Sequence, residues 1–193
     1  MSVQVTLSGE EQKVSIESHD EMAFEVARTI REHVVKGVPP WKDMYKSTIV
    51  ITSSPEWPEP DFVFDDQEKL TYGFEFKPPE QVRREYIMGV GQALTYLNHF
   101  SHSTLILPTR AENFDIAQYV ENLVHNIPLK IGVLCYDPED IRQLKVLVPY
   151  PKDPVGPLQR RATLGKVFWA FWMDQSINEF YLMLKGSYEH RSA

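Results

Sequence analysis

Hydrophobic and polar positions repeat along this chain with two different periods, which separate predicted helices from predicted strands. Apolar residues at helical spacing predict a first helix over residues 21 to about 36, with Asp20 as its cap. The same spacing predicts helices at residues 80 to about 100, 114 to about 126 and 163–184. The last of these is apolar on more than one face, which is typical of a helix that is buried on both sides or covered by a partner.

Short alternating or β-branched runs predict the strands. Residues 3–16 alternate on both sides of Ser8-Gly9-Glu10 and predict a β-hairpin. Further strands are predicted at residues 47–51, 61–64, 70–77, 103–107, 129–135 and 143–148. The succession of helix, strand, hairpin, helix, strand, helix and strand predicts the α/β class, with a central mixed β-sheet flanked by helices.

Length and composition favour a single domain that spans residues 1–193. The chain is 42% hydrophobic and can therefore fill a sizeable core. Residues 149–157 contain four prolines and predict a linker or extended loop before a C-terminal helical extension at about 158–186. The single cysteine, Cys135, excludes a disulfide framework or a zinc cluster built within one copy, and its apolar surroundings predict a buried thiol.

The charge balance limits the classes of partner. The formal net charge is −7, from 20 basic and 27 acidic residues. A compact domain that binds duplex DNA by itself is usually basic, because neutralising phosphates supplies much of the affinity. Any basic footprint on this chain must therefore be local. No secretory leader and no run near the ~20 apolar residues that cross a bilayer is visible, so we expect a cytoplasmic protein without a membrane partner.

Candidate chemistry is concentrated in the acidic hairpin over residues 61–77. Glu75 and Lys77 are two residues apart on one strand, so their side chains share a sheet face. If the turn centres near Glu68, Asp61 lies opposite Glu75, where paired side chains are ~5 Å apart at Cβ. Two such carboxylates can share a hard divalent cation, and a lysine beside them can stabilise charge on a phosphate. The alternative is an exposed hairpin with a cross-strand ion pair.

The same residues resemble the signature of a nuclease superfamily. Asp61, preceded by a proline and followed after the hairpin by Glu75-Phe76-Lys77, is similar to the motif of the PD-(D/E)xK nucleases, which include restriction endonucleases, junction resolvases and recombination exonucleases. The resemblance covers about residues 20–135 and implies a restriction-endonuclease-like core. It further implies that Asp61, Glu75 and the Phe76 carbonyl bind Mg²⁺, with Mn²⁺ as a substitute, while Lys77 orients or activates the attacking water.

Two of the predicted helices carry further candidates. Many members of the superfamily place another acid on the first helix, and Glu25 is the candidate metal ligand here, with Glu21 and Glu32 as competitors. Gln92 and Tyr96 are four residues apart and share a helix face. They resemble the Gln-xxx-Tyr motif of the recombination-exonuclease branch, which faces the active site and the substrate backbone, and we add them to the predicted catalytic set.

Arg83 and Arg84 precede that motif on the same predicted helix. We predict that they contact phosphates near the scissile bond, and a surface arginine pair is the alternative. The acidic balance of the chain favours either a homodimer or a cleavage module directed by a separate recognition domain or subunit. The terminal apolar helix is a candidate interface, and core packing is the alternative.

These residues together predict a Mg²⁺-dependent nuclease. DNA cleavage in restriction or defence is the leading role, and repair or recombination processing by an exonuclease comes next. A catalytically inactive nuclease fold that binds protein or nucleic acid is the alternative from a different class.

Overall fold

The computed structural model describes residues 19–54 and 59–158 of the chain. The helices are α1 (His19–Val35), α2 (Trp41–Met44), α3 (Arg83–Tyr96) and α4 (Ile116–Asn126). The strands are β1 (Val50–Thr52), β2 (Phe62–Asp65), β3 (Thr71–Phe76), β4 (His102–Pro108), β5 (Gly132–Asp137) and β6 (Asp140–Val148). The hairpin predicted at residues 3–16 and the helix predicted at residues 163–184 lie outside the described residues.

All six strands form one sheet, in the order β1-β2-β3-β4-β5-β6. The strands β3, β4 and β5 run parallel to one another, whereas the pairs β1–β2, β2–β3 and β5–β6 are antiparallel. Each parallel pair is joined through a helix, α3 or α4, as a crossover between parallel strands requires. The predicted α/β class with a mixed sheet is therefore confirmed.

Helices cover both faces of this sheet. α1 and α2 pack on one face through residues such as Ile30 and Trp41, and α3 and α4 pack on the other. Strand β4 shows the alternation between the two faces, since Ile106 belongs to the first core and Leu105 to the second. Cys135 is 1% exposed on the second face, which confirms the predicted buried thiol.

β1 and β5 begin three residues later than predicted, and α3 is shorter than predicted at both ends. Two further differences have identifiable reasons. The helix α2 was not predicted, because a single turn of four residues is too short to show a helical period. Strand β6 begins at Asp140, three residues before its predicted start. It is an edge strand whose side chains are partly or fully exposed, and Ile141 is the single apolar residue among its first three, which is too few to show an alternation.

The register of the β2–β3 hairpin positions the predicted site. Phe62 pairs with Phe74, and the same register continues to the tip. The turn therefore centres on Glu68, as predicted. Asp61 lies one residue beyond the paired residues and donates its backbone N–H to the carbonyl oxygen of Phe74 at 3.0 Å. The predicted register is confirmed from Phe62 to Asp65, whereas the pairing of Asp61 with Glu75 lies beyond the ladder and stays a prediction.

The tip of the hairpin is closed by a buried aspartate. Asp66 is 1% exposed, and its Oδ1 accepts three backbone N–H hydrogen bonds at 2.9–3.0 Å, from Glu68, Lys69 and Leu70. An aspartate that satisfies successive backbone donors fixes the turn, and with it the register of both strands.

Candidate functional site

A buried ion pair lies where the sequence predicts catalysis. Glu75 and Lys77 are 4% and 7% exposed, and Lys77 Nζ is 2.7 Å from Glu75 Oε1. Both side chains lie under α3, while Phe74 and Phe76 fill the core on the opposite face. This pair is therefore not the exposed ion pair of the alternative interpretation. Buried ion pairs carry a desolvation penalty, which makes this one a poor device for stability.

α3 supplies hydrogen-bond partners for both members of the pair. Lys77 Nζ donates to Gln92 Oε1 at 2.8 Å. The Tyr96 hydroxyl donates to Glu75 Oε2 and lies 3.1 Å from the carbonyl oxygen of Glu59. Burial, followed by the hydrogen bond to Glu75, raises the pKa of Tyr96 above its usual value, so the phenol stays protonated. Gln92 and Tyr96 thus converge on the hairpin, as their four-residue spacing indicates.

Two glycines let α3 approach β3 this closely. A Cβ atom at Gly89 would lie 2.8 Å from Cε of Lys77 and 2.9 Å from a methyl of Leu105. A Cβ atom at Gly73 would lie 3.0 Å from the ring of Phe100. Gly89 therefore makes the space through which the stem of Lys77 passes beneath the helix.

Asp61 lies directly before β2 and is tied to β3 by its side chain. Its Oδ2 accepts the Phe76 N–H at 2.6 Å, and its side chain is 20% exposed. Burial, followed by the charge of Glu75, raises the pKa of Asp61 to about 6, although the Phe76 N–H opposes this shift. The ionised Asp61 carboxylate is therefore destabilised at neutral pH, and a cation bound beside it would stabilise its charge.

His19, the first described residue of α1, is a candidate that the sequence patterns missed. Its Nε2 lies 3.1 Å from the carbonyl oxygen of Phe76 and 3.7 Å from Asp61 Oδ1, two oxygens that were predicted to bind a metal ion. Burial alone lowers the pKa of His19, but Asp61, the Phe76 carbonyl and Asp20 together raise it above its usual value. Because the predicted helix began after Asp20 and Phe76 is 57 residues away, no local pattern marked this histidine.

The structure does not bring Glu25 into this cluster. Its Oε1 accepts hydrogen bonds from Arg28 at 2.9 Å and from Arg142 of β6 at 2.7 Å. Glu25 lies six residues after His19, which is about 9 Å along the axis of α1. It links α1 to the sheet edge, so the contribution of α1 to the cluster comes from His19 instead.

Arg83 and Arg84 lie at the exposed start of α3. The guanidinium carbon of Arg83 is 4.5 Å from the centre of the Phe114 ring. Arg84 is 3.4 Å from Glu85, and its side chain is 80% exposed. Both arginines are on the helix that carries Gln92, but Arg83 precedes it by nine residues, or roughly 14 Å along the axis.

The oxygen donors of the cluster fit a hard cation. Within residues 19–54 and 59–158, no three His, Cys, Asp or Glu side chains are grouped closely enough to hold a metal ion by themselves. Magnesium usually binds through one or two carboxylates and completes its shell with other oxygens and water. Asp61, Glu75 and the Phe76 carbonyl are oxygen donors of this kind, although the two oxygens of Glu75 are already engaged by Lys77 and Tyr96 and the Phe76 carbonyl faces His19.

Comparisons with known proteins add no family to this geometry. No family model matches the sequence, and no curated protein matches it significantly. Among the helices of the described residues, none combines the length and the apolar character needed to cross a membrane.

Proposed function

We propose that this protein is a divalent-cation-dependent nuclease with a restriction-endonuclease-like core of the PD-(D/E)xK type. One observation carries the proposal. Asp61 is close enough to Glu75 for the charge of Glu75 to raise its pKa, and Lys77 is held between Glu75 and Gln92 in a largely buried setting. Buried ionisable groups at the end of a strand, with a raised carboxyl pKa among them, are typical of catalytic sites.

Asp61, Glu75 and the Phe76 carbonyl would hold Mg²⁺, and Mn²⁺ is expected to substitute for it. His19 would act beside this set as a hydrogen-bond donor, because its Nε2 faces the Phe76 carbonyl oxygen at 3.1 Å and therefore carries the proton. When bound, the cation supplies positive charge for the phosphate oxygens and lowers the pKa of a bound water.

The remaining residues have roles that follow from their contacts. Lys77 provides a cation that stabilises the charge developing on the phosphate. Gln92 holds Lys77 Nζ in place, and Tyr96 orients the carboxylate of Glu75 through its hydroxyl. Both act as positioning residues, because each contacts a catalytic side chain.

DNA cleavage in restriction or defence is the proposed role, with repair or recombination processing by an exonuclease as the second. The net charge of −7 supports a homodimer or a separate recognition domain or subunit, because such an acidic domain holds duplex DNA weakly by itself.

The direct test is cleavage of DNA by the wild type and by Lys77→Ala. Supercoiled plasmid, linear duplex and single strands are incubated with Mg²⁺, Mn²⁺ or EDTA. We expect metal-dependent cleavage by the wild type and a rate at least ~100-fold lower for Lys77→Ala, because the loss of a transition-state cation typically costs this much. Lys36→Ala is the matched control, since Lys36 is an exposed lysine directly after α1 that pairs with Glu32.

Melting temperatures of both variants separate a loss of chemistry from a loss of folding. Products that differ between circular and linear DNA distinguish endonuclease from exonuclease action. If the wild type and Lys77→Ala are equally inert on all three substrates with either metal, the inactive binding module is the correct alternative.

A further inference from the structure

An open cleft lies between the start of α3 and the start of α4, outside the catalytic cluster. Its volume is about 270 Å³, and it is lined by Arg83, Arg84, Ile87, Phe114, Ile116 and Tyr119. The cleft is close to the lower limit of ligand pockets, roughly 300 Å³, so it suits one small planar group. Two of its apolar side chains are open to solvent, since Ile87 is 38% exposed and Tyr119 is 48% exposed.

This cleft lies at the carboxyl ends of the parallel strands, as the catalytic cluster does. β3 and β4 are parallel, so the segment that leads to α3 and the segment that leads to α4 both start at the carboxyl ends of these strands. The Tyr86 hydroxyl donates to the Pro79 carbonyl at 2.8 Å, which ties the start of α3 to the residues directly after Lys77. In open α/β sheets, ligands bind in the crevice outside these carboxyl ends.

The lining combines stacking surfaces with positive charge. Arg83 stacks on Phe114, and among the described residues it has no carboxylate within ion-pair distance. Within the described part of the chain, the carboxylate partner of Arg84 is Glu85, at 3.4 Å. The ring of Tyr119 lies 5.6 Å from that of Phe114 and is half exposed. Aromatic rings and guanidinium planes bind unstacked bases, and arginine charge binds the phosphates between them.

We propose that this cleft binds an unpaired nucleotide of single-stranded DNA beside the cleavage site. The DNA that the protein cleaves would then be single-stranded or carry a single-stranded branch. This statement about the cleaved substrate rests on the proposed nuclease function. A duplex keeps its bases stacked and offers its phosphates, for which a chain of net charge −7 has little general affinity. An unpaired base can be bound by stacking on a few aromatic rings and guanidinium groups, and the cleft provides both.

Binding is measured in EDTA by fluorescence anisotropy of a labelled single-stranded oligodeoxynucleotide and of its duplex, with the full chain. We expect the wild type to bind the single strand at least fivefold more tightly. Tyr119→Ala should weaken single-strand binding roughly 5- to 100-fold, the range that stacking of one base supports, and change duplex binding less than twofold. Tyr119→Phe keeps the ring and should bind like the wild type.

The outcomes separate this inference from the proposed function. If Tyr119→Ala and Arg83→Ala bind the single strand as the wild type does, or if the wild type binds no oligonucleotide, the inference about the cleft is wrong. If the protein cleaves DNA with metal and Tyr119→Ala cleaves every substrate at the wild-type rate, the inference about the cleft is wrong and the proposed nuclease function is supported. Tyr119-dependent binding in EDTA without cleavage of any DNA overturns the nuclease and leaves the single-strand site standing.

Discussion

Replacing Asp61 with asparagine is expected to make the metal-free protein more stable at pH 8, although it removes a proposed metal ligand. Asparagine is close in shape to aspartate, and its side-chain oxygen can accept the Phe76 N–H that Asp61 accepts at 2.6 Å. The substitution removes a buried negative charge that faces Glu75. The expected gain is therefore the penalty for ionising this one carboxyl group in the folded state.

The size of the gain follows from the pKa of Asp61. Burial and the charge of Glu75 raise that pKa from 3.8 to about 6, so the folded protein binds the proton more tightly than the unfolded chain does. At 1.36 kcal/mol per pKa unit, ionisation in the folded state costs about 3 kcal/mol. Below pH ~4 both states are protonated and the penalty is absent. It grows as pH rises from ~4 to ~6 and is complete above that.

Urea unfolding in EDTA at pH 4 and pH 8 measures this difference. The free energy of unfolding of the Asp61→Asn variant should exceed that of the wild type by about 3 kcal/mol at pH 8 and equal it at pH 4. In a Glu75→Gln background the gain should shrink, because Glu75 is one of its causes. Added Mg²⁺ should stabilise the wild type but not the variant. A variant that is less stable at pH 8, or that gains equally at both pH values, would refute the argument.

Three further predictions test the surroundings of the site. Gly89→Ala should displace the stem of Lys77 and lower the cleavage rate at least ~10-fold, whereas Gly91→Ala, whose Cβ meets nothing within 4 Å, should keep the rate and raise the free energy of unfolding by about 0.5–1 kcal/mol. Burial lowers the pKa of His102 to about 4, so stability should fall by about 2–3 kcal/mol as pH drops from 7 to 4.5, and urea unfolding should show a smaller fall for His102→Phe. Glu25→Ala should cleave plasmid within about twofold of the wild-type rate, because Glu25 lies outside the cluster; a large loss would return Glu25 to the site.

The hairpin could be predicted because its determinants are local. Phe74 and Phe76 had to face a core, and the polar tip set the turn, so the register followed from the alternation of side chains. Gln92 and Tyr96 could be placed together from their spacing alone. Their distance from Glu75 could not, because it depends on glycines that let the helix approach the strand.

The contribution of α1 could not be predicted for a different physical reason. The rotation of a helix on a sheet is set by packing against residues far along the chain. Arg142, 117 residues from Glu25, holds that side chain at the sheet edge and leaves His19 over Phe76. The helical period places both side chains on α1 but does not say which of them faces β3.

The two carboxylates of the cluster differ in how their charge is met, and this difference indicates where a cation is needed. Glu75 has a lysine on one oxygen and a phenol hydroxyl on the other. Among the described residues, Asp61 accepts a hydrogen bond from one backbone N–H, and the His19 nitrogen is 3.7 Å away. Burial and the charge of Glu75 raise the pKa of Asp61 by more than the Phe76 N–H, His19 and Lys77 lower it. We therefore expect substitution of Asp61 to weaken metal binding more than substitution of Glu75 does. The acid-x-lysine motif of β3 is nevertheless the more visible feature of the sequence.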